Sequence, residues 1–352
     1  MSNTAILACA GSRKTETVID HALSTKERSL ILTFTAENQK QIVHRIRERM
    51  GVVPPNVVVM GWFAFLINEC AKPYQRALTG QPFKIAGLNF KGRRARYTPK
   101  TSLHFYLDSE SRLYRDETAD FVVQLNQASA GAVKRRLEAI YDRILIDEVQ
   151  DLTGYDLDVL DMLLASRICV TLVGDPRQHT FSTNLNRRHA KFSGVGMLDW
   201  LKARRSICSI EERSESYRCN QAICDFADAL YPALPRTTSR NYECTGHDGV
   251  FGVGADRVAE YVKKWSPVVL RHDRNSDTAG LPALNFGVSK GSTFDRVLIF
   301  PTAPILTYLA KRDPSRLKSP EKLYVAVTRA RFSVAFVVTP ISRAAMISLP
   351  VW

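Results

Sequence analysis

Short apolar runs bounded by polar or turn residues recur along the chain, at 5–8, 30–34, 57–60, 144–146, 170–173, 268–270, 297–300 and 334–338. Apolarity that is nearly continuous over so few residues predicts strands buried on both faces of a parallel sheet. Between several of them the pattern changes to the helical period. The segment 37–50 brings Ile42 and Ile46 into register, and 221–230 does the same for Ile223, Phe226 and Leu230. Strands alternating with helices predict an α/β architecture.

Two stretches break this rhythm. Residues 70–100 hold eight basic side chains and no acidic one, and 110–139 is charged with a helical pattern. Together they predict an insertion at about 72–139 inside a first domain. The second break, 232–249, is rich in Pro, Arg, Thr and Ser without periodicity and reads as a loop. A chain of 352 residues is long enough for two domains, drawn here at 1–205 and 206–352.

Charge narrows the partners. Forty-nine Lys and Arg against 35 Asp and Glu leave +14, an excess that suits a polyanion such as nucleic acid. No apolar run approaches the ~20 residues that cross a bilayer. The seven cysteines form no C-x-x-C pair, which argues for reduced thiols over a disulfide framework or zinc ribbon. The expectation is a cytoplasmic protein that does not bind membranes.

The N-terminal run Ala5–Thr15 reads as strand, small-residue turn, then helix. Such a turn aims backbone N–H groups of Ala10, Gly11, Ser12 and Arg13 at phosphates, while Lys14 adds a point charge and Thr15 a hydroxyl for Mg²⁺. Ala8 and Arg13 stand where the phosphate-loop pattern has glycine. Downstream, the strand Arg143–Ile146 ends in adjacent carboxylates, Asp147 and Glu148. In a nucleoside triphosphatase the first sits in the Mg²⁺ shell and the second orients or deprotonates the attacking water. A further strand ends in Gly174-Asp175-Pro176-Arg177-Gln178, which places Gln178 where a γ-phosphate could be sensed.

Taken in order, ACAGSRKT (8–15), LTFTAEN (32–38), VVVMGWFAFL (57–66), LIDEVQD (145–151), LVGDPRQHTF (172–181), SYRCN (216–220), VSKGSTFDRVLIF (288–300) and KLYVAVTRA (322–330) resemble the UvrD/Rep/PcrA branch of the superfamily 1 DNA helicases. Viral RNA helicases of the same superfamily share the general scheme. The resemblance implies two RecA-like parallel-sheet cores with ATP and Mg²⁺ between them, and a motor moving 3′ to 5′ on single-stranded DNA or DNA junctions. It implies finger arginines at Arg218 and Arg329, a base-stacking Tyr217 and a nucleotide contact near Gly291. Nucleic-acid contacts are implied at Thr33, Thr35, Asn38, Trp62, Phe63, Ser289 and Lys290. Trp62 and Phe63 read equally well as core aromatics. The basic segment with Lys91, Arg93, Arg94 and Arg96, near Phe90, is a candidate for an extra strand contact.

The sequence also departs from that family. Glu16 stands where a base-stacking arginine is usual, and Thr293 where a glutamate is. The short span from Arg218 to Lys290 leaves no room for the large accessory subdomain of the second core. An alternative is therefore a helicase-like ATPase that switches a partner nuclease with little unwinding of its own.

Overall fold

Five of the apolar runs become the parallel strands of one sheet; four of them are buried on both faces, while in the edge run 57–61 only Val57 is buried. The strands are β1 (Asn3–Ala8), β2 (Ser29–Thr33), β3 (Val57–Gly61), β4 (Arg143–Ile146) and β5 (Cys169–Gly174). A sixth, β6 (Cys208–Arg213), completes the order β3-β2-β4-β5-β1-β6. Its CSIEER sequence is half-exposed, so it carries no apolar run to betray it. The structure is a computed structural model that describes residues 2–78, 80, 83–338 and 349–352; positions 79, 81 and 82 of the expected insertion, and 339–348, lie outside it.

The packing divides the chain into two units, and each is described by itself. The first comprises Met1–Leu7, Lys14–Pro176 and Ser182–Glu212; the second comprises Ala8–Arg13, Arg177–Phe181 and Arg213–Trp352. In the first, Leu30, Leu32, Ile144, Ile146, Val170 and Leu172 are fully buried on the sheet. Each such side chain contributes about 1.5–3 kcal/mol by leaving water. The register β3-β2-β4-β5-β1 is parallel throughout. All five carboxyl ends therefore lie along one edge of the sheet, the edge where open α/β sheets bind ligands.

The stretch 72–139 is part exposed basic segment and part core. Its helix Thr118–Ala128 and the following Ala132–Ile140 bury Phe121, Val122, Leu125, Val133 and Leu137 in the same cluster as the sheet. They pack with residues of a π-helix, Phe65–Ala71, that follows β3. Two short strands, Gly87–Asn89 and Arg112–Tyr114, pair in parallel at the base of the basic segment.

The second unit is a five-stranded parallel sheet: β7 (Gly249–Gly254), β8 (Val268–Arg271), β9 (Leu284–Asn285), β10 (Phe294–Phe300) and β11 (Ala330–Val338), in the order β7-β11-β10-β8-β9. Helices Gln221–Asp228, Ala303–Lys311 and Pro320–Val327 cover one core, in which Ile223, Tyr308, Leu323 and Val327 are buried. The edge strand β7 is not left bare. Gly252 donates its N–H to the Pro350 carbonyl at 2.9 Å and accepts from Trp352 N–H at 3.0 Å. The stretch 232–249 is irregular apart from Thr238–Ser239, which pairs with Glu215–Ser216. All seven cysteines are free thiols. Among the described residues, no helix is long and apolar enough to cross a membrane.

Candidate functional site

The carboxyl edge of the first sheet gathers the residues on which phosphate chemistry would depend. Helix Lys14–Leu23 starts directly after the loop that leaves β1. Thr15 Oγ1 donates to Asp147 Oδ2 at 3.0 Å, and Lys14 Nζ lies 3.9 Å from Asp175 Oδ2, the residue after β5. Burial, with the Glu148 carboxylate alongside, pushes Asp147 above the ordinary carboxylate range; Thr15 and Lys14 pull it back. Glu148 takes a left-handed backbone, φ 57°, uncommon for a residue with a side chain, and its N–H donates to Asp147 Oδ1 at 2.9 Å.

Two residues without an assigned role complete this group. Gln150, fully buried, donates its amide N–H to Glu148 Oε2 and accepts the Asp175 N–H on Oε1 at 3.0 Å. It thus fixes the rotation of the Glu148 carboxylate from behind. Gly174 makes the space: a Cβ there would sit 2.4 Å from Gln150 Oε1. The LIDEVQD and LVGDP runs contained both Gln150 and Gly174, but no spacing rule distinguishes an orienting amide from a turn residue.

The loop 8–13 and the segment 177–181 pack with the second unit. Gly11 has φ 78° and would drive a Cβ to 2.6 Å from Ser216 Oγ and 2.7 Å from Arg218 Cβ, so only glycine fits. Its carbonyl accepts the Tyr217 N–H at 2.9 Å. Arg13 also takes a left-handed backbone, φ 61°, which explains why the phosphate-loop pattern has glycine there. Its guanidinium lies 4.2 Å from the centre of the half-exposed Tyr217 ring. Ala10 N–H reaches Tyr324 Oη at 3.3 Å, a contact from the YVAVTRA run that sequence reasoning missed. Arg329 is buried: Nε donates to the Val325 carbonyl at 3.1 Å, Nη1 to the Ser292 carbonyl at 3.3 Å, and Nη2 to Gln178 Oε1 at 3.2 Å. Arg218 Nη1 donates to the Thr328 carbonyl at 3.1 Å, and Gly291 turns the chain at φ 89°.

The residues fit a magnesium nucleotide. One hydroxyl and one carboxylate, with the remaining ligands left to phosphate and water, is how Mg²⁺ is commonly held. No cluster of three or more His, Cys, Asp or Glu side chains forms a metal site among the described residues. Ser12 Oγ is buried and has no hydrogen-bond partner among them, a hydroxyl in want of an acceptor at the phosphate loop. Glu16, in the place of the stacking arginine, ion-pairs with Arg45 and Arg49 of helix Ala36–Met50.

The nucleic-acid candidates divide. Three expectations are corrected by burial. Trp62 is fully buried, its Nε1 donating to Asp156 Oδ1 at 2.9 Å, so it is a core residue with no face for a base. Thr33, the last residue of β2, is likewise sealed in. Ser289 is buried and its hydroxyl donates to the Phe286 carbonyl at 2.7 Å, closing a turn. Thr35 caps helix Ala36–Met50 by accepting the Asn38 N–H at 3.1 Å, and both residues keep some exposure. Phe63 is half-buried and meets the exposed Phe90 edge-on at 5.4 Å, beside the basic segment. Lys91, Arg93 and Arg96 are exposed, and Arg94 and Lys290 are half-buried.

Comparison with known proteins sets this geometry in a family. The model of the viral superfamily 1 RNA helicase core domain matches residues 100–338. Among solved structures, the helicase nonstructural protein 10 of an arterivirus shares 14% identity at a TM-score of 0.48, over 95% of this chain and 59% of that one. The PRRSV helicase shares 15% at 0.47, over 99% and 55%. A complex of the arterivirus protein with DNA shares 14% at 0.50, over 98% and 63%. The chain thus spans little more than half the length of these structures, and identities this low speak to fold alone. No curated protein matches the chain. The superfamily expected from the motifs is met, while nothing here supports the UvrD/Rep/PcrA branch. Since the match covers about two thirds of its length, the chain belongs to the viral superfamily 1 RNA helicase core-domain family.

Proposed function

We propose that this chain is a nucleoside-triphosphate-driven motor on single-stranded nucleic acid. The observation that carries the reading is the linked group Lys14–Asp175, Thr15–Asp147 and Glu148–Gln150 at the carboxyl edge of one parallel sheet. A bound magnesium would neutralise charge on the phosphates. Lys14 and the loop N–H groups bind the β- and γ-phosphates. Thr15 and Asp147 hold the metal side of the nucleotide. Glu148, oriented by Gln150, accepts a proton from the attacking water. By the motif resemblance alone, Arg218 and Arg329 are assigned the positive charge for a γ-phosphate and Gln178, hydrogen-bonded to Arg329 within the second unit, the sensing of it. Coupling to a strand follows if nucleotide and strand favour the same conformational state.

For the strand, the family's RNA helicase description favours RNA; the DNA preference and the 3′-to-5′ direction stand on the UvrD-like motifs alone. Tyr217 offers a ring to the base, and the lack of a stacking arginine at position 16 predicts use of GTP or CTP as well as ATP.

The test is hydrolysis of ATP, GTP and CTP with and without single-stranded RNA or DNA, at adequate Mg²⁺. Strand stimulation that vanishes in Lys14→Ala supports the reading. Equally negligible hydrolysis with and without strand refutes it. Duplexes with a 3′ or a 5′ overhang then report direction.

A further inference from the structure

The basic segment forms one wall of a cavity of about 410 Å³ in the first unit, with Tyr114, Asp116, Glu117, Leu185 and Asn186 on its other sides; Asp116 is ion-paired with Arg115. That volume lies in the range of small-ligand sites, roughly 300–1,000 Å³. Its chemistry is graded by exposure. Arg93 and Arg96 are exposed, and neither ion-pairs with a carboxylate among the described residues. Arg94 is set in place: its guanidinium lies 4.1 Å from the centre of the Phe105 ring, and Nη1 donates to the carbonyls of Ala95 and Arg96.

The deepest charged group is Glu117, 6% exposed. Arg94 Nε donates to its Oε1 at 3.0 Å, while Oε2 is buried with no hydrogen-bond partner. Burial raises its affinity for a proton, the mark of a carboxylate short of donors. Natural structures rarely leave a buried charged oxygen unmatched, so Oε2 is expected to take a donor from water or from a ligand. Tyr114 and Leu185 add a ring and an apolar side chain to the lining.

Exposed guanidinium groups, an aromatic and an apolar wall, and a buried acceptor short of a donor together describe a receptor for a nucleotide. We infer that this cavity takes one nucleotide of the bound strand, with Arg93 and Arg96 on its phosphate and Glu117 accepting a hydrogen bond from an exocyclic amino group of its base. The inference deepens the strand-binding reading and rests on it. Cytosine, with its amino group, satisfies Glu117. Uracil offers only a ring N–H flanked by two carbonyl oxygens, which a carboxylate repels.

The experiment is fluorescence-anisotropy binding of the whole chain to oligocytidylate and oligouridylate of equal length at several salt concentrations. One charge-assisted hydrogen bond predicts about ten-fold tighter binding of oligocytidylate. In Glu117→Gln, whose amide keeps an acceptor for Arg94 and turns a donor into the cavity, the ratio is expected to fall to about one or invert. The exposed pair Arg93→Ala with Arg96→Ala should weaken both oligomers equally and reduce the log–log salt slope by roughly 1.4. Tight binding with a wild-type ratio of one, or a ratio unchanged in Glu117→Gln, overturns the cavity assignment and leaves the motor reading standing. Failure of wild type to bind either oligomer, or oligodeoxycytidylate, overturns both.

Discussion

Gly174→Ala isolates the connection between the second carboxylate and its orienting amide. The glycine takes no left-handed backbone, so alanine is conformationally allowed and the perturbation is steric. The added methyl would sit 2.4 Å from Gln150 Oε1, 2.9 Å from Val149 Cγ1 and 3.2 Å from Val149 N. Gln150 is fully buried, so its side chain cannot swing aside into solvent. Relieving the clash breaks its hydrogen bond from Asp175 N–H and withdraws the amide from Glu148. Overpacking costs about 1–3 kcal/mol, and an unmatched buried N–H adds about 1–3. With partial overlap between the two, a loss of roughly 2–4 kcal/mol lowers Tm by about 5–12 °C. A misoriented base reduces kcat by about a hundred-fold. The double variant Gly174→Ala with Gln150→Ala makes room for the methyl, so it should recover part of the Tm and none of the kcat. The assays are calorimetric unfolding and steady-state nucleotide hydrolysis. A single variant with wild-type Tm and wild-type turnover refutes the argument, whatever the double variant does.

Two further outcomes follow from backbone strain and from burial. Arg13→Gly should be more stable than Arg13→Ala by about 1 kcal/mol in urea unfolding, because both lose the stack on Tyr217 and only glycine accepts φ 61° without strain; equal midpoints would count against the strain. Asp156 is held up to about 6 by burial, against the pull of Thr183 and Trp62. Its folded pKa exceeds the unfolded value near 3.9, so the unfolded chain gives up the proton first and stability falls as pH rises from about 4 to 6, then levels. The drop is at most about 3 kcal/mol. Asp156→Asn, which keeps an acceptor for Trp62, should remove that slope when unfolding midpoints are compared at pH 4.5 and 7; the same slope in the variant rules the assignment out.

The strands were legible because a parallel sheet buried on both faces leaves uninterrupted apolar runs, and because its carboxyl ends must carry whatever chemistry the fold performs. Lys14, Thr15, Asp147 and Glu148 could be placed on that basis. Three kinds of feature could not. β6 alternates instead of running apolar. Trp62 sits at a strand end like a ligand contact, yet a buried aspartate answers its indole N–H, a pairing with residue 156 that no local pattern encodes. The grouping of residues 8–13 and 177–181 with the later part of the chain depends on packing at long separation, to which hydropathy is blind.

The hydrogen bonds that Gly252 exchanges with residues 350 and 352 bear on how the protein behaves in concentrated solution. An open ladder of amides and carbonyls along β7 would recruit the same strand of another molecule, the first step toward sheet-like aggregates. The short segment around Val351 pairs with β7 at Gly252, so a chain cut before Leu349 is expected to self-associate more readily than the intact one.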